Sequence, residues 1–116
     1  MDQFSIGAFR VHRIEEWRGP FLAPRQLFGP ADGFPATEDS YLDGPPIEAF
    51  IQSWIVKTPT RTILLDTGCG NHKNRPGIPI FSDLSTDFLG RMAAVGFLPE
   101  DVDLVVCTHL HVDHVS

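Results

Sequence analysis

Three histidines and one aspartate fall within six residues of this 116-residue chain, as His109-Leu110-His111-Val112-Asp113-His114. Imidazoles and a carboxylate are costly to keep together for packing alone, because each polar group needs a partner once it leaves water. A metal ion satisfies them collectively. If the preceding strand persists through the run, the two-residue period puts His109 and His111 on one face, while Asp113 and His114 follow on a turning segment and can face a second centre. Two neighbouring metals are therefore expected. Neutral imidazole and carboxylate suit Zn²⁺, and also Mn²⁺, Fe or Co²⁺. With five His and ten Asp in the sequence, the pattern His-x-His-x-Asp-His arises by chance on the order of once in a thousand such chains.

The elements that must position this run can be read upstream of it. Val102 to Thr108 is a short, mostly apolar stretch of the kind buried in a sheet between layers. Before it, Leu84, Phe88, Leu89, Met92 and Val95 recur at helical spacing, with Ser82 or Asp83 to cap the start and Gly96 to end it. Residues 71–82, with Pro76, Gly77 and Pro79, read as a loop. Ile47 to Thr58 and Arg61 to Asp66 are β-rich, and Pro59-Thr60 between them suggests a hairpin. The second of these strands ends in Asp66-Thr67-Gly68-Cys69-Gly70, whose glycines permit a sharp exit and display Asp66 at a strand end. Residues 4–14 alternate imperfectly, as a half-buried first strand would. From Gly19 to Pro46, six prolines and four glycines leave no room for a persistent regular element. The aromatics there, Phe21, Phe28, Phe34 and Tyr41 among them, fit either a loop pinned to the core or a lid over substrate.

Composition narrows the partners. Nine basic and fifteen acidic residues give a formal charge of −6, and no basic run could track a phosphate backbone, so nucleic acid is not an expected partner. No apolar stretch approaches membrane-spanning length and the start lacks the layout of a secretion signal, which predicts a cytoplasmic protein without a membrane partner. Cys69 and Cys107 stand far apart, and both are expected to be free thiols.

His109-x-His111-x-Asp113-His114 after an apolar strand, with Asp66-Thr67-Gly68 closing an earlier one, resembles the metallo-β-lactamase-fold hydrolases over roughly residues 47–114. The resemblance implies an α/β (α+β) chain, the N-terminal half of an αββα sandwich. Its single partial domain would take in residues 1–116, with the long Pro/Gly-rich loop at 19–46 and the core strands, helix and metal-binding run at 47–116. It also implies that His109 and His111 bind a first divalent metal and Asp113 and His114 a second, with Zn²⁺ the leading choice. Asp66 would orient the ligand network, since a ligating imidazole usually donates its other N–H to a carboxylate or carbonyl. The implied chemistry is metal-assisted hydrolysis, with Asp113 as the catalytic group that shuttles the proton of the attacking water.

The long apolar loop and acidic balance favour a small ester, lactone or organophosphate-like substrate. The resemblance further implies ligands beyond the run, another His, a bridging Asp and a last His, while the sequence ends at Ser116, where the family often has Gly. A competing expectation is therefore a catalytically inactive truncated fragment that binds metal weakly, or that associates with itself or another chain through an uncovered sheet edge. His72 and Cys69 on the loop after Asp66, and more remotely His12, are the residues that could supply missing ligands. The simpler expectation for His72 is a surface loop histidine, and for Cys69 an inert thiol.

Overall fold

The structure is a computed structural model that describes residues 2–28 and 42–116. Two compact units can be distinguished, Met1–Trp17 with Ile51–Ser116, and Arg18–Phe50. The first strands of the chain, β1 (Gln3–Ile6) and β2 (Phe9–Pro20), pair antiparallel with Ile6 opposite Phe9. The imperfect alternation over residues 4–14 has its cause here. Two strands occupy the stretch, and the phase resets at the two-residue turn between them, where Gly7 takes a φ of 57°. A residue without a Cβ is favoured at such a turn, whose backbone must follow the right-handed twist of its strands.

β3 (Glu48–Lys57) and β4 (Thr62–Leu65) form the hairpin predicted around Pro59-Thr60, with Lys57 opposite Thr62. The Thr58 hydroxyl oxygen accepts the amides of Thr60 and Arg61 at 3.2 and 2.9 Å, which closes the turn. β5 (Leu104–Val106) lies parallel to β4, giving one five-stranded sheet in the order β1-β2-β3-β4-β5.

One face of this sheet carries the alternating buried positions His12, Ile14 and Glu16 on β2, Ile51, Ser53 and Ile55 on β3, and Thr62 and Leu64 on β4. The core forms where Met92 and Phe97, from the crossover between β4 and β5, meet Ile14, Ile55 and Leu64. Helix α2 of that crossover runs Phe88–Ala94, later than the start predicted at Leu84, and Asp87 rather than Ser82 or Asp83 precedes it. Residues 84–86 are bound instead to the loop after β4. The Leu84 carbonyl accepts the His72 amide, and the Asn71 side chain both donates to Thr86 O and accepts from Thr86 N at 2.8 Å. The helix ends at Gly96 as predicted. The Gly96 and Phe97 amides return to the carbonyls of Ala93 and Met92, the paired bonds of a Schellman stop.

Where the sequence predicts no persistent element between residues 19 and 46, β2 continues to Pro20 and a short helix, α1, spans Pro24–Phe28. Within that unit Phe21 and Ile47 exchange backbone bonds with their neighbours, Phe21 N–H to Ile47 O and Ile47 N–H to Leu22 O, both 2.9 Å. Arg25 pairs with Asp43 at 2.8 Å, and the Arg18 guanidinium sits 4.8 Å from the centre of the Phe50 ring. Phe34 and Tyr41 lie outside the described residues.

The stretch expected as a buried strand differs in a second way. β5 is three residues long and ends the sheet, and its Leu104, Val105 and Val106 are 47%, 48% and 40% exposed. Among the described residues only β4 pairs with it. A mostly apolar groove of about 410 Å³ opens between this strand and α2, lined by Leu64, Phe88, Met92, Val102 and Val105.

The exit of β4 is a tightly constrained turn. Asp66, Gly68 and Gly70 all have positive φ, at 60°, 73° and 73°. The coil so formed turns the amides of Cys69 and Gly70 inward, onto the two carboxylate oxygens of Glu16 at 2.7 and 2.8 Å. Glu16 is only 2% exposed, and a Cβ on Gly68 would run into its carboxylate. Arg75 braces the same coil through Cys69 O at 2.8 Å, and Arg91 holds the Glu15 and Glu16 carbonyls at 2.7 and 3.0 Å.

Two outcomes follow from these contacts. Glu16→Ala strands two amide donors out of water and is expected to cost about 2–4 kcal/mol in urea unfolding, with Glu16→Gln, which keeps one acceptor, costing less. His12 is buried against the edge of Phe97, and burial together with the nearby Arg10 charge lowers its pKa. Its folded pKa therefore lies below the unfolded value, so its contribution is present above about 6.5 and is lost as pH falls through the folded value. His12→Leu should flatten the fall of stability on acidification below that point, measured by denaturation at a series of pH values.

Candidate metal centre

Asp66 leaves the end of β4 beside the end of its parallel neighbour, its amide bonded to Val106 O at 2.9 Å. Parallel pairing of Leu65 with Val106 sets the two chain exits side by side, so that Asp66 meets Thr108 and the histidine run. Its Oδ1 accepts the Thr108 amide at 2.7 Å, and the Thr108 hydroxyl lies 3.0 Å from Oδ1 and 2.9 Å from Oδ2. His114 Nδ1 is 2.7 Å from Asp66 Oδ2. Burial by itself would raise the Asp66 pKa, but the bonds from the Thr108 amide, the His114 ring and the Thr108 hydroxyl outweigh it and hold the carboxyl below its ordinary value. It is an ionised acceptor at neutral pH.

The strand does not persist into the run as the two-residue argument for His109 and His111 assumed. It stops at Val106, and residues 108–114 form a bend and turn, with the His114 amide returning to His111 O at 3.0 Å. The turn gathers the rings more closely than a strand would. His109 and His111 meet edge to face with centroids 4.7 Å apart, and His109 and His114 lie 3.9 Å apart. His114 Nε2 stands 3.2 Å from Asp113 Oδ2. The end of the run is tied to the Asp66 coil, since His114 O accepts both the Thr67 amide at 3.0 Å and its hydroxyl at 3.3 Å. The structure thus brings together His109, His111, Asp113, His114 and Asp66.

In this arrangement the rings touch one another, and among the described residues no group of three or more His, Cys, Asp or Glu side chains is spread about a point as a bound ion would require. The donor chemistry still fits a divalent ion. His114 Nε2 and Asp113 Oδ2 are spaced close to the ~3.3 Å that separates two ligands of a tetrahedral ion with bonds of about 2.0–2.1 Å. The Nδ1 of the same ring is engaged by Asp66, the carboxylate–histidine relation found behind metal ligands.

The other residues considered as ligands are accounted for otherwise. His72 is exposed on the loop with a φ of 57°. Cys69 is fully buried, and burial, then the charges of Glu16 and Asp113, push its thiol up to about 12 against the opposing effect of Arg75, so it stays protonated and inert. His12 lines a different cleft with Thr62, at the start of β4, whereas Asp66 follows the end of that strand. Thr108 and Glu16 were not legible as part of the site. A threonine beside the run and a glutamate fifty residues before the Asp66 coil carry no spacing signal, and only the Thr108 position, directly before His109, offered a hint.

The curated relative N-acyl homoserine lactonase AiiB of Agrobacterium fabrum is 30% identical over 82 residues, covering 60% of this chain and 29% of its own length. Among solved structures, the hydrolase AbOPH in the beta lactamase superfamily matches with a TM-score of 0.68 at 21% identity, covering 97% of this chain and 36% of that one. AidC, a dizinc quorum-quenching lactonase in complex with a product, gives 0.65 at 24% identity over 97% of this chain and 36% of AidC. A probable metal-dependent hydrolase from Staphylococcus aureus gives 0.66 at 21% identity, over 96% and 41%. At these identities the structural likeness is one of fold, and it bears out the mixed α/β architecture implied by the resemblance. The chain spans less than a third of its curated relative and about two-fifths or less of the matched structures. Residues 47–116, from the β3–β4 hairpin through the histidine turn, match the family model described as Metallo-beta-lactamase superfamily, and the chain belongs to that superfamily.

Proposed function

We propose that this chain carries part of the centre of a metal-dependent hydrolase acting on a small ester, lactone or organophosphate-like molecule, with a lactone as the leading substrate class. The observation that carries the reading is the gathering of His109, His111, Asp113 and His114 around a carboxylate that is already bonded to one of the rings. The lactonase names of AiiB and AidC favour a lactone, and the dizinc description of AidC favours Zn²⁺ over Mn²⁺, Fe or Co²⁺. In this reading His109 and His111 hold one ion, and Asp113 and His114 a second.

Ions held there would lower the pKa of a coordinated water from about 15.7 toward 7 and polarise the oxygen of the scissile group. The residues of the chain do the rest. Asp66 holds the His114 ring through Nδ1 and keeps Nε2 for ligation. Asp113, whose Oδ2 lies 3.2 Å from that Nε2, would accept the proton of the attacking water and return it to the leaving oxygen. The acidic balance of the sequence and its lack of a basic run favour an uncharged small substrate over a nucleic acid. A cytoplasmic location is part of the proposal. Among the described residues, no helix is long and apolar enough to cross a membrane.

The exposed β5 favours a second reading. A strand of three half-exposed apolar residues beside an apolar groove suits a chain that holds metal weakly alone and becomes active only when further protein, a second copy included, covers that side. Elemental analysis of the purified chain, run alongside hydrolysis of an N-acyl homoserine lactone and an aryl ester, separates the two. Near two metals per chain with turnover lost on chelation supports the first. His109→Ala/His111→Ala should then remove at least one metal and lower kcat/KM by more than about 10²-fold. At most one weakly held metal and no turnover supports the second.

A further inference from the structure

The Thr108 hydroxyl, bonded to Asp66, has a single proton, and where that proton goes fixes the state of a neighbouring ring. We propose that Thr108 is a positioning residue that fixes His109 as the Nδ1–H tautomer, leaving Nε2 of His109 bare. The Thr108 hydroxyl oxygen lies within hydrogen-bond distance of three atoms, Asp66 Oδ1 at 3.0 Å, Asp66 Oδ2 at 2.9 Å and His109 Nδ1 at 3.0 Å. It has one proton to give.

An ionised carboxylate only accepts, so if the hydroxyl proton pointed at His109, the threonine oxygen would face both Asp66 oxygens with no hydrogen between them. Such contacts at 2.9 and 3.0 Å are repulsive in a partly buried site, where an unmade polar contact is most costly. The proton therefore goes to Asp66. The hydroxyl then turns a lone pair toward His109 Nδ1, 3.0 Å away, where Nδ1–H bonds to it and a bare Nδ1 would face it lone pair to lone pair. A neutral imidazole with its proton on Nδ1 has none on Nε2. The same carboxylate receives the His114 ring at Nδ1, 2.7 Å away, so one acceptor orders two rings, His114 directly and His109 through the threonine oxygen.

The function of that bare nitrogen rests on the metal-centre reading above, while the tautomer itself does not. Metal ligation requires neutral imidazole with a free lone pair, and a ring held in the right tautomer avoids a proton shift on binding. The threonine hydroxyl thus plays for His109 the part that a carboxylate commonly plays for a ligating histidine. Its methyl group takes no part in these bonds, so serine should serve equally.

Ring ¹H–¹⁵N correlation spectra of the whole chain, stripped of metal with a chelator and held near neutral pH, test the assignment. Expected is the Nδ1–H tautomer for His109. Thr108→Val should move His109 toward Nε2–H or a mixture while His114 keeps its state, and Thr108→Ser should match the parent protein. Titration with Co²⁺, read by visible absorption, should show affinity reduced about 10–100-fold in Thr108→Val and retained in Thr108→Ser. His109 found as Nε2–H in the unsubstituted chain overturns the proposal, and so does a valine variant whose His109 signal does not move. Should the valine variant fail to fold, the spectrum of the parent protein decides alone. No substrate enters the spectra, so a chain with the expected tautomer and no hydrolysis would sink the functional reading and leave this one standing.

Discussion

Everything around the candidate centre depends on one ionised carboxylate held at the end of a strand. Asp66 accepts from the amide and hydroxyl of Thr108 and from the ring of His114, and those bonds reach two segments that are more than forty residues downstream in sequence. Each bond to a charged acceptor is shorter and stronger than a neutral one, and a partly buried position spares it the screening that weakens surface pairs. Burial alone would have favoured the uncharged acid. The donors reverse that preference, and the resulting anion gives the histidine turn a fixed point to organise around.

Holding Asp66 there imposes a backbone demand that Glu16 helps to meet. The residue takes a left-handed conformation, and the coil after it needs two more at Gly68 and Gly70. Such a coil points successive amides the same way, an anion-binding concavity, and here the anion is a side chain of β2. The turn is thereby fastened to the sheet from beneath while Thr67 reaches over to the carbonyl of His114. Strand end, coil and histidine turn form one connected hydrogen-bonded unit, braced on its flank by Arg75.

The other side of the sheet's last strand is unlike this. β5 contributes register, since its parallel pairing with β4 brings Val106 level with Leu65 and so sets Thr108 beside Asp66. Its apolar side chains remain half exposed, and the groove toward α2 is mostly apolar, with Glu16 and Thr67 also on its wall. An apolar strand with one neighbour is stabilised less than a central one, yet this strand positions the candidate centre. Because β5 runs directly into the histidine turn, whatever orders the strand also orders the turn that follows it.

Much of this was legible without coordinates. The six-residue run named its own chemistry because three imidazoles and a carboxylate have few other reasons to be adjacent, and Asp66 was marked by the glycines that let a strand end abruptly. The β3–β4 hairpin and the end of α2 at Gly96 were equally plain, since turn residues and helix stops are local. Where reading by period failed, longer-range bonds had intervened. Asn71 pulled Thr86 out of the expected helix, the turn at Gly7 broke one expected strand into two, and the run itself bent where continuation of the strand was assumed. Glu16 and Thr108 had no pattern to give them away. Their bonds to the coil and to Asp66 cross 53 and 42 positions, and sequence spacing carries information only about neighbours on the same element. The sequence by itself determined which chemistry the chain can offer. Only the tertiary structure decided which protons and oxygens meet, because that depends on parallel strand register bringing two distant chain exits to one place.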